Sequence, residues 1–135
     1  MLPHQNVYRE NILTQSEIIT HVLVPAPAPG TRSAYVKERE KDSYDWALAS
    51  AAVVLTPSAN GQTVGTARVV LGGVAPVPWR AEEAEKALAG RPLTPSVIAQ
   101  AAEAALASAK PLDKNGYKVP LAQAVVRRAL TLTMA

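Results

Sequence analysis

The first half of the chain carries short apolar and β-branched runs separated by turn residues, which is the pattern of β-strands. We predict strands over residues 17–24, 34–38, 46–55 and 63–71. Asn60-Gly61, between the last two, is a strong hairpin signal, since a type I′ turn needs positive φ at both of its central residues. The sequence therefore predicts an antiparallel sheet of about four strands.

The predicted strand over 46–55 reads WALASAAVVL and is almost unbroken in its apolar character. A strand with one wet face should alternate apolar and polar residues, so this run indicates that both faces are covered. One face would lie under the domain's own helices. The other would need a neighbour, either another part of a larger protein or another subunit. A helix is the competing interpretation, because Ala is abundant here.

From about Arg80 the apolar residues follow a helical spacing instead. The first helix should end at Gly90 in a left-handed cap, with Glu82, Glu83 and Glu85 on its solvated face. Thr94-Pro95 fits an N-cap followed by proline at the first helical position, and Pro120 fits the first turn of a third helix. The three predicted apolar faces are Ala81, Ala84, Ala87 and Leu88; Val97, Ile98, Ala101, Ala102, Ala105 and Leu106; and Leu121, Ala122, Val125, Val126, Ala129 and Leu130.

Strands followed by helices predict the α+β class, with an antiparallel sheet of about four strands followed by three helices packed on one face. The strand-to-helix switch falls in residues 67–90, where Gly72-Gly73 and two prolines redirect the chain. The segment PAPAPG at 25–30 favours extended polyproline geometry and is interpreted as a stiff connection.

The composition excludes several kinds of function. The chain of 135 residues has no Cys and only two His, so it offers no thiolate catalysis, no cysteinyl iron–sulfur ligation and no predicted metal site. The formal net charge of +3 is dispersed, which argues against a nucleic-acid footprint, and no segment suits a membrane span. No phosphate-binding loop, dinucleotide fingerprint or nucleophile elbow is present, so we predict no catalytic residue.

Four segments carry a resemblance to a known family: TQSEIITHVLVP, YVKEREKDSYDWALASAAVVL, ARVVLGGVAPVPWRAEEAEKAL and NGYKVPLAQAVVRRAL. In this order they resemble the C-terminal domain of the FAD-binding medium subunit of molybdenum hydroxylases, the xanthine dehydrogenase, aldehyde oxidoreductase and carbon monoxide dehydrogenase family. The resemblance runs over about 13–130. It implies an α+β sandwich of the kind predicted above.

The resemblance also implies a function, namely covering FAD in a complex that passes electrons from molybdenum through iron–sulfur clusters to the flavin. Lys37 matches a lysine at the pyrimidine edge of the isoalloxazine ring, and Ile19 matches an apolar position behind the ring. The alternative role for Lys37 is a surface lysine paired with Glu38 or Glu40. The alternative for Ile19 is ordinary strand core.

The implied FAD would be shared with upstream subdomains that this sequence lacks. Residues 1–25 would be the tail of the preceding flavin subdomain or an extended lead-in strand, and 26–135 the C-terminal domain. The implied partners are a molybdenum-binding large subunit and a small subunit with 2Fe-2S clusters, or a homodimer of the isolated chain. The implied location is cytoplasmic, or periplasmic by co-export with a partner. The alternative function is a stand-alone interaction or dimerisation module without flavin binding.

Overall fold

The computed structural model describes residues 5–9, 11–42 and 44–134. Strands come first in the chain and three helices follow, as the apolar pattern predicts, although only three of the four strands coincide with predicted ones. The elements are β1 (Arg32–Glu38), β2 (Ala49–Pro57), β3 (Val64–Gly72), β4 (Trp79–Arg80), α1 (Glu82–Leu88), α2 (Pro95–Ala105) and α3 (Lys118–Leu132). The strands form one antiparallel sheet in the order β1-β2-β3-β4.

The helices lie on one face of this sheet, which we call the inner face. α3 packs on β1 and β2, α1 packs on β3, and α2 packs against α1 and α3. Alternate residues of β2 are buried beneath them: Ala49, Ala51, Val53 and Leu55. The predicted α+β sandwich is therefore confirmed, and the helical interpretation of β2 is wrong.

The hairpin between β2 and β3 is confirmed, but its predicted turn type is wrong. Gly61 has φ of 71°, whereas no described residue other than glycine has positive φ, so Asn60 does not adopt the type I′ conformation. The Gly61 amide donates to the Ser58 carbonyl over 2.9 Å, and the Asn60 carboxamide accepts from the Gln62 amide over 3.0 Å. The loop is thus a turn of ordinary hand followed by a left-handed glycine, the common longer hairpin connection.

The strand predicted over 17–24 is absent. This segment has no regular secondary structure and is exposed, with Ile18 83% and Leu23 92% accessible. The reason lies in the turn that joins it to β1, where the Thr31 amide donates to the Ala28 carbonyl over 3.1 Å and Gly30 has φ of 74°. Pro29 before a left-handed glycine is the combination of a type II turn, which splays flanking strands apart and keeps the segment off β1.

The ends of α1 and α2 follow the predicted signals. Gly90 has φ of 74°, and its amide donates to the Val64 carbonyl over 2.7 Å, which ties the end of α1 to β3. The Thr94 hydroxyl accepts from the Val97 amide over 3.3 Å, and Pro95 opens α2. The predicted apolar faces of α2 and α3 are the buried ones, except that Leu106 and Leu121 are only partly covered.

Candidate functional site

The face of the sheet that carries no helix, here called the outer face, bears Lys37, one of the two predicted site residues. The strand registers set β1, β2 and β3 residues side by side in rows across it. One row is Lys37, Ser50 and Gly72, and the next is Tyr35, Ala52 and Val70.

Small residues form the floor of the outer face at the centre of the sheet. A Cβ added to Gly72 would lie 2.4 Å from the Ser50 hydroxyl, so the Ser50 side chain occupies the space above the glycine. Ser50 is 6% exposed, while Tyr35 in the next row is 62% exposed and Val54, two rows along, is 40% exposed. We call this strip of small residues, together with the larger side chains of Tyr35 and Val54 beside it, the trough. The apolar run of β2 predicted cover on both faces, and this outer side is the one that stays partly open.

Lys37 brings the positive charge at this trough. Its ammonium donates to the backbone carbonyl of Asp45 in the loop between β1 and β2. The Asp45 carboxylate caps the same loop by accepting from the Trp46 amide over 2.8 Å. Within the described part of the chain Lys37 forms no ion pair, so the predicted alternative of pairing with Glu38 or Glu40 is not realised. A half-buried ammonium without a carboxylate is available to an anionic or carbonyl oxygen of a ligand.

Ile19, the second predicted site residue, lies in the extended segment before β1 and is 69% exposed. Neither a strand pairing nor a hydrogen bond holds residues 17–24 against the sheet in the described chain. The structure therefore does not bring Ile19 onto the trough beside Lys37. It also does not bury Ile19 as strand core, which was the alternative.

A buried carboxylate, Glu85, corrects the prediction that the acidic residues of α1 are all solvated. Glu85 is 8% exposed and accepts from the Val69 amide over 3.1 Å and from Arg80 Nε and Nη2 over 3.0 and 2.7 Å. The Arg80 guanidinium holds the pKa of the Glu85 carboxyl below its ordinary value, against the opposing effect of desolvation. The sequence signal for this contact was an arginine just before a helix whose carboxylates otherwise face water.

The role of Glu85 is to complete the sheet where β4 is too short to do so. The Ala81 amide donates to the Val69 carbonyl over 2.8 Å, and the Glu85 carboxylate accepts from the amide of the same residue. Both edge-facing groups of Val69 are thereby satisfied. Glu85 is accordingly a structural residue and not part of the candidate site.

A cleft of about 240 Å³ lies at the end of the sheet near the β3–β4 turn. Trp79, Leu106 and Val119 supply apolar walls, and the Lys118 ammonium donates to the Gly73 carbonyl over 3.0 Å at its margin. Among the described residues there is no cluster of His, Asp or Glu suited to a metal ion, and none of the described helices is long and apolar enough to cross a membrane.

Comparison with known proteins identifies the fold family. Residues 33–133 match the CO dehydrogenase flavoprotein C-terminal domain. The chain belongs to this family. It is 38% identical over 128 residues to the carbon monoxide dehydrogenase medium chain of Hydrogenophaga pseudoflava, covering 92% of this chain and 44% of that one.

Two further comparisons agree with this family. The aldehyde oxidoreductase FAD-binding subunit of Escherichia coli (strain K12) is 36% identical over 129 residues, which cover 95% of this chain and 36% of that subunit. The solved carbon monoxide dehydrogenase from Hydrogenophaga pseudoflava superposes with a TM-score of 0.74 at 42% identity over 82% of this chain and 39% of that one. The flavoprotein C-terminal domain described here thus spans less than half the length of these relatives.

Proposed function

We propose that this chain is the C-terminal domain of the FAD-binding subunit of a molybdenum hydroxylase complex of the xanthine dehydrogenase or aldehyde oxidoreductase type. In this proposal the outer face covers the flavin. The observation that carries it is the Lys37 ammonium, which has no carboxylate partner among the described residues and lies beside a trough of small residues. Membership of the flavoprotein family supports the proposal.

The residues present fit a flavin. The isoalloxazine ring is flat and apolar with a polar pyrimidine edge, so it needs a shallow surface and a donor at one side. Ser50, Ala52 and Gly72 leave such a surface, and Lys37 supplies the donor. When bound, FAD supplies two-electron and one-electron redox chemistry. The role of Lys37 is to donate a hydrogen bond to a ring carbonyl and to stabilise negative charge on the pyrimidine side.

Ile19 and the segment around it would act only within a longer protein. We infer that residues 1–25 are the tail of a preceding flavin subdomain, and that Ile19 backs the ring once that subdomain is in place. Its 69% exposure supports this, because an isoleucine in a complete pocket would be covered. The domain proper would be 26–135.

The remaining cofactors and partners follow from the same proposal. A molybdenum cofactor and 2Fe-2S clusters would reside on a large and a small partner subunit, since this chain has no cysteine to ligate a cluster. The assembly would be cytoplasmic, or periplasmic by co-export with a partner. In the isolated chain a homodimer is the alternative assembly.

The test is a titration of the purified chain into FAD, followed by quenching of flavin fluorescence. We expect saturable quenching that weakens by roughly tenfold or more in Lys37→Ala, because a charge-assisted hydrogen bond contributes about 1.5–3 kcal/mol. Lys114→Ala is the matched control, since it removes the same charge from an exposed loop outside the trough. Equal affinity in both variants, or no saturable quenching at all, would contradict a flavin surface on this chain.

A further inference from the structure

The strand β1 lies at an edge of the sheet, and three of its seven residues have backbone amides and carbonyls with no strand partner in the described chain. The Leu48 amide donates to the Glu38 carbonyl over 2.8 Å, so Glu38 and every second residue before it face β2. The intervening residues Ser33, Tyr35 and Lys37 then point their amides and carbonyls away from the sheet. No strand of the described chain lies on that side, because β1 is the terminal strand.

The opposite edge of the sheet is closed by the chain itself. The Val64 amide donates to the Arg91 carbonyl over 2.9 Å, and the Val69 amide is covered by Glu85 over 3.1 Å. An open edge on one side of a sheet whose other edge is covered is a template for pairing with another strand.

The β1 edge lacks the devices that usually prevent such pairing. It contains no proline, and its register with β2 runs without a shift over all seven residues. Its edge lysine, Lys37, is bound to the Asp45 carbonyl in its own loop. The Pro29-Gly30 turn separates the preceding segment from β1. Among the described residues, the backbone hydrogen bond of this turn ends at Thr31, and none joins the preceding segment to β1 itself.

We propose that the β1 edge pairs with the β1 edge of a second copy of this chain, antiparallel and about a two-fold axis at Tyr35. Tyr35 then faces Tyr35, and Ser33 of each copy faces Lys37 of the other, so all the outward backbone groups meet in hydrogen-bonded pairs. Such an isologous contact closes on itself and forms a dimer with a continuous sheet.

The charged residues of β1 favour a second copy of this chain as the partner and favour this register. With the axis at Tyr35, Arg32 of each copy lies directly opposite Glu38 of the other, in a close non-hydrogen-bonded pair. The symmetry produces this opposite-charge pair twice. In its own chain the Arg32 Nη1 donates to the Thr133 and Met134 carbonyls over 3.3 and 3.1 Å, so the partner's Glu38 would be bound through the remaining guanidinium donors. Glu38 forms no ion pair among the described residues of its own chain, so its carboxylate is available. This pairing uses the backbone groups of β1, whereas the proposed flavin contact uses the Lys37 side chain on the outer face.

The test measures the mass of the full chain by sedimentation over a dilution series. We expect a reversible dimer of twice 14.2 kDa. Glu38→Arg places like charges opposite each other at both pairs and should weaken the dimer by about tenfold or more. Glu40→Arg is the control, because it makes the same charge change beyond the end of β1 and should leave the dimer intact.

Mixing provides the decisive step. Arg32→Glu and Glu38→Arg should each impair self-association, yet an equimolar mixture should form a heterodimer, because both cross-strand pairs then unite opposite charges. Ser33→Pro, which removes an outward donor, should also weaken the dimer, with the folded state of each variant checked by circular dichroism. A chain that stays monomeric, a dimer that tolerates Glu38→Arg, or a mixture that fails to associate would each overturn the proposal.

Discussion

Replacing Glu85 by Ala tests the claim that one buried carboxylate completes the sheet. The substitution removes the acceptor of the Val69 amide and of two Arg80 nitrogens, at 3.1, 3.0 and 2.7 Å. It acts at a residue that is only 8% exposed. The expected loss of stability therefore comes from buried hydrogen bonds and not from a surface ion pair.

The expected loss in unfolding free energy depends on whether each group that bound Glu85 can find another hydrogen-bond partner. Within the described ranges the Val69 amide has no acceptor besides Glu85, and leaving this buried amide unpaired costs about 1–3 kcal/mol. The Arg80 side chain is 48% exposed and can turn to water, so its loss adds less than a fully buried pair would. We therefore expect Glu85→Ala to lower the free energy of unfolding by about 2–3 kcal/mol, which corresponds to roughly 10 °C in Tm for a domain of this size.

The assay is urea unfolding at neutral pH, followed by circular dichroism. Glu83→Ala is the matched control, because Glu83 lies on the same helix, is 64% exposed in its side chain and forms a surface ion pair with Lys86. We expect that control to change the unfolding free energy very little. A loss in Glu85→Ala no greater than that in Glu83→Ala would refute the structural role assigned to Glu85.

Four further predictions concern stability, each checked by denaturant or thermal unfolding. Because the pKa of Glu85 is lowered on folding, its contribution is complete above the ordinary carboxyl pKa of about 4.3 and declines as pH falls through the lowered value, so the deficit of Glu85→Ala should shrink in acid; a constant deficit would contradict this. Thr94→Ala should cost about 1 kcal/mol by removing the α2 cap, and an unchanged midpoint would contradict the cap. Gly90→Ala should cost about 1–2 kcal/mol, since φ is 74° there, whereas Gly116→Ala should cost less. Leu88→Ala should cost about 2–5 kcal/mol by opening a cavity in the core, and a loss below 1 kcal/mol would contradict tight packing there.

The helices and the central hairpin were predictable from sequence because their signals are local. Thr94-Pro95 marks a helix start, Gly90 marks a helix end, and Asn60-Gly61 marks a hairpin, and each acts within a few residues of itself. The turn type at Asn60-Gly61 was not predictable, because the Ser58 and Gln62 contacts select a longer loop.

Whether a strand forms at either edge of the sheet depends on tertiary contacts that the local sequence pattern does not show. Residues 17–24 have the composition of a strand, but a strand forms only beside a partner, and the Pro29-Gly30 turn directs them away from β1. The two-residue strand β4 is too short to show any periodicity. The structural role of Glu85 could not be predicted from local sequence, because it depends on the packing of α1 against β3.

The candidate site was predictable only in part. A lone lysine within a charged run carries no signal of its own, and Lys37 was found through a family resemblance and not through periodicity. What the structure adds is its surroundings, namely the small residues beside it and the carbonyl that holds its ammonium. Ile19 stays a prediction, because its role needs residues that precede this domain.

NMR mapping of the ¹⁵N-labelled chain during addition of FAD determines whether the outer face binds the flavin. We predict that the amide chemical shifts change at Lys37, Ser50 and Gly72, and that those on the buried faces of α2 and α3 stay constant. Chemical-shift changes confined to the cleft beside Trp79 and Lys118, or no changes at all, would contradict a flavin surface on the outer face.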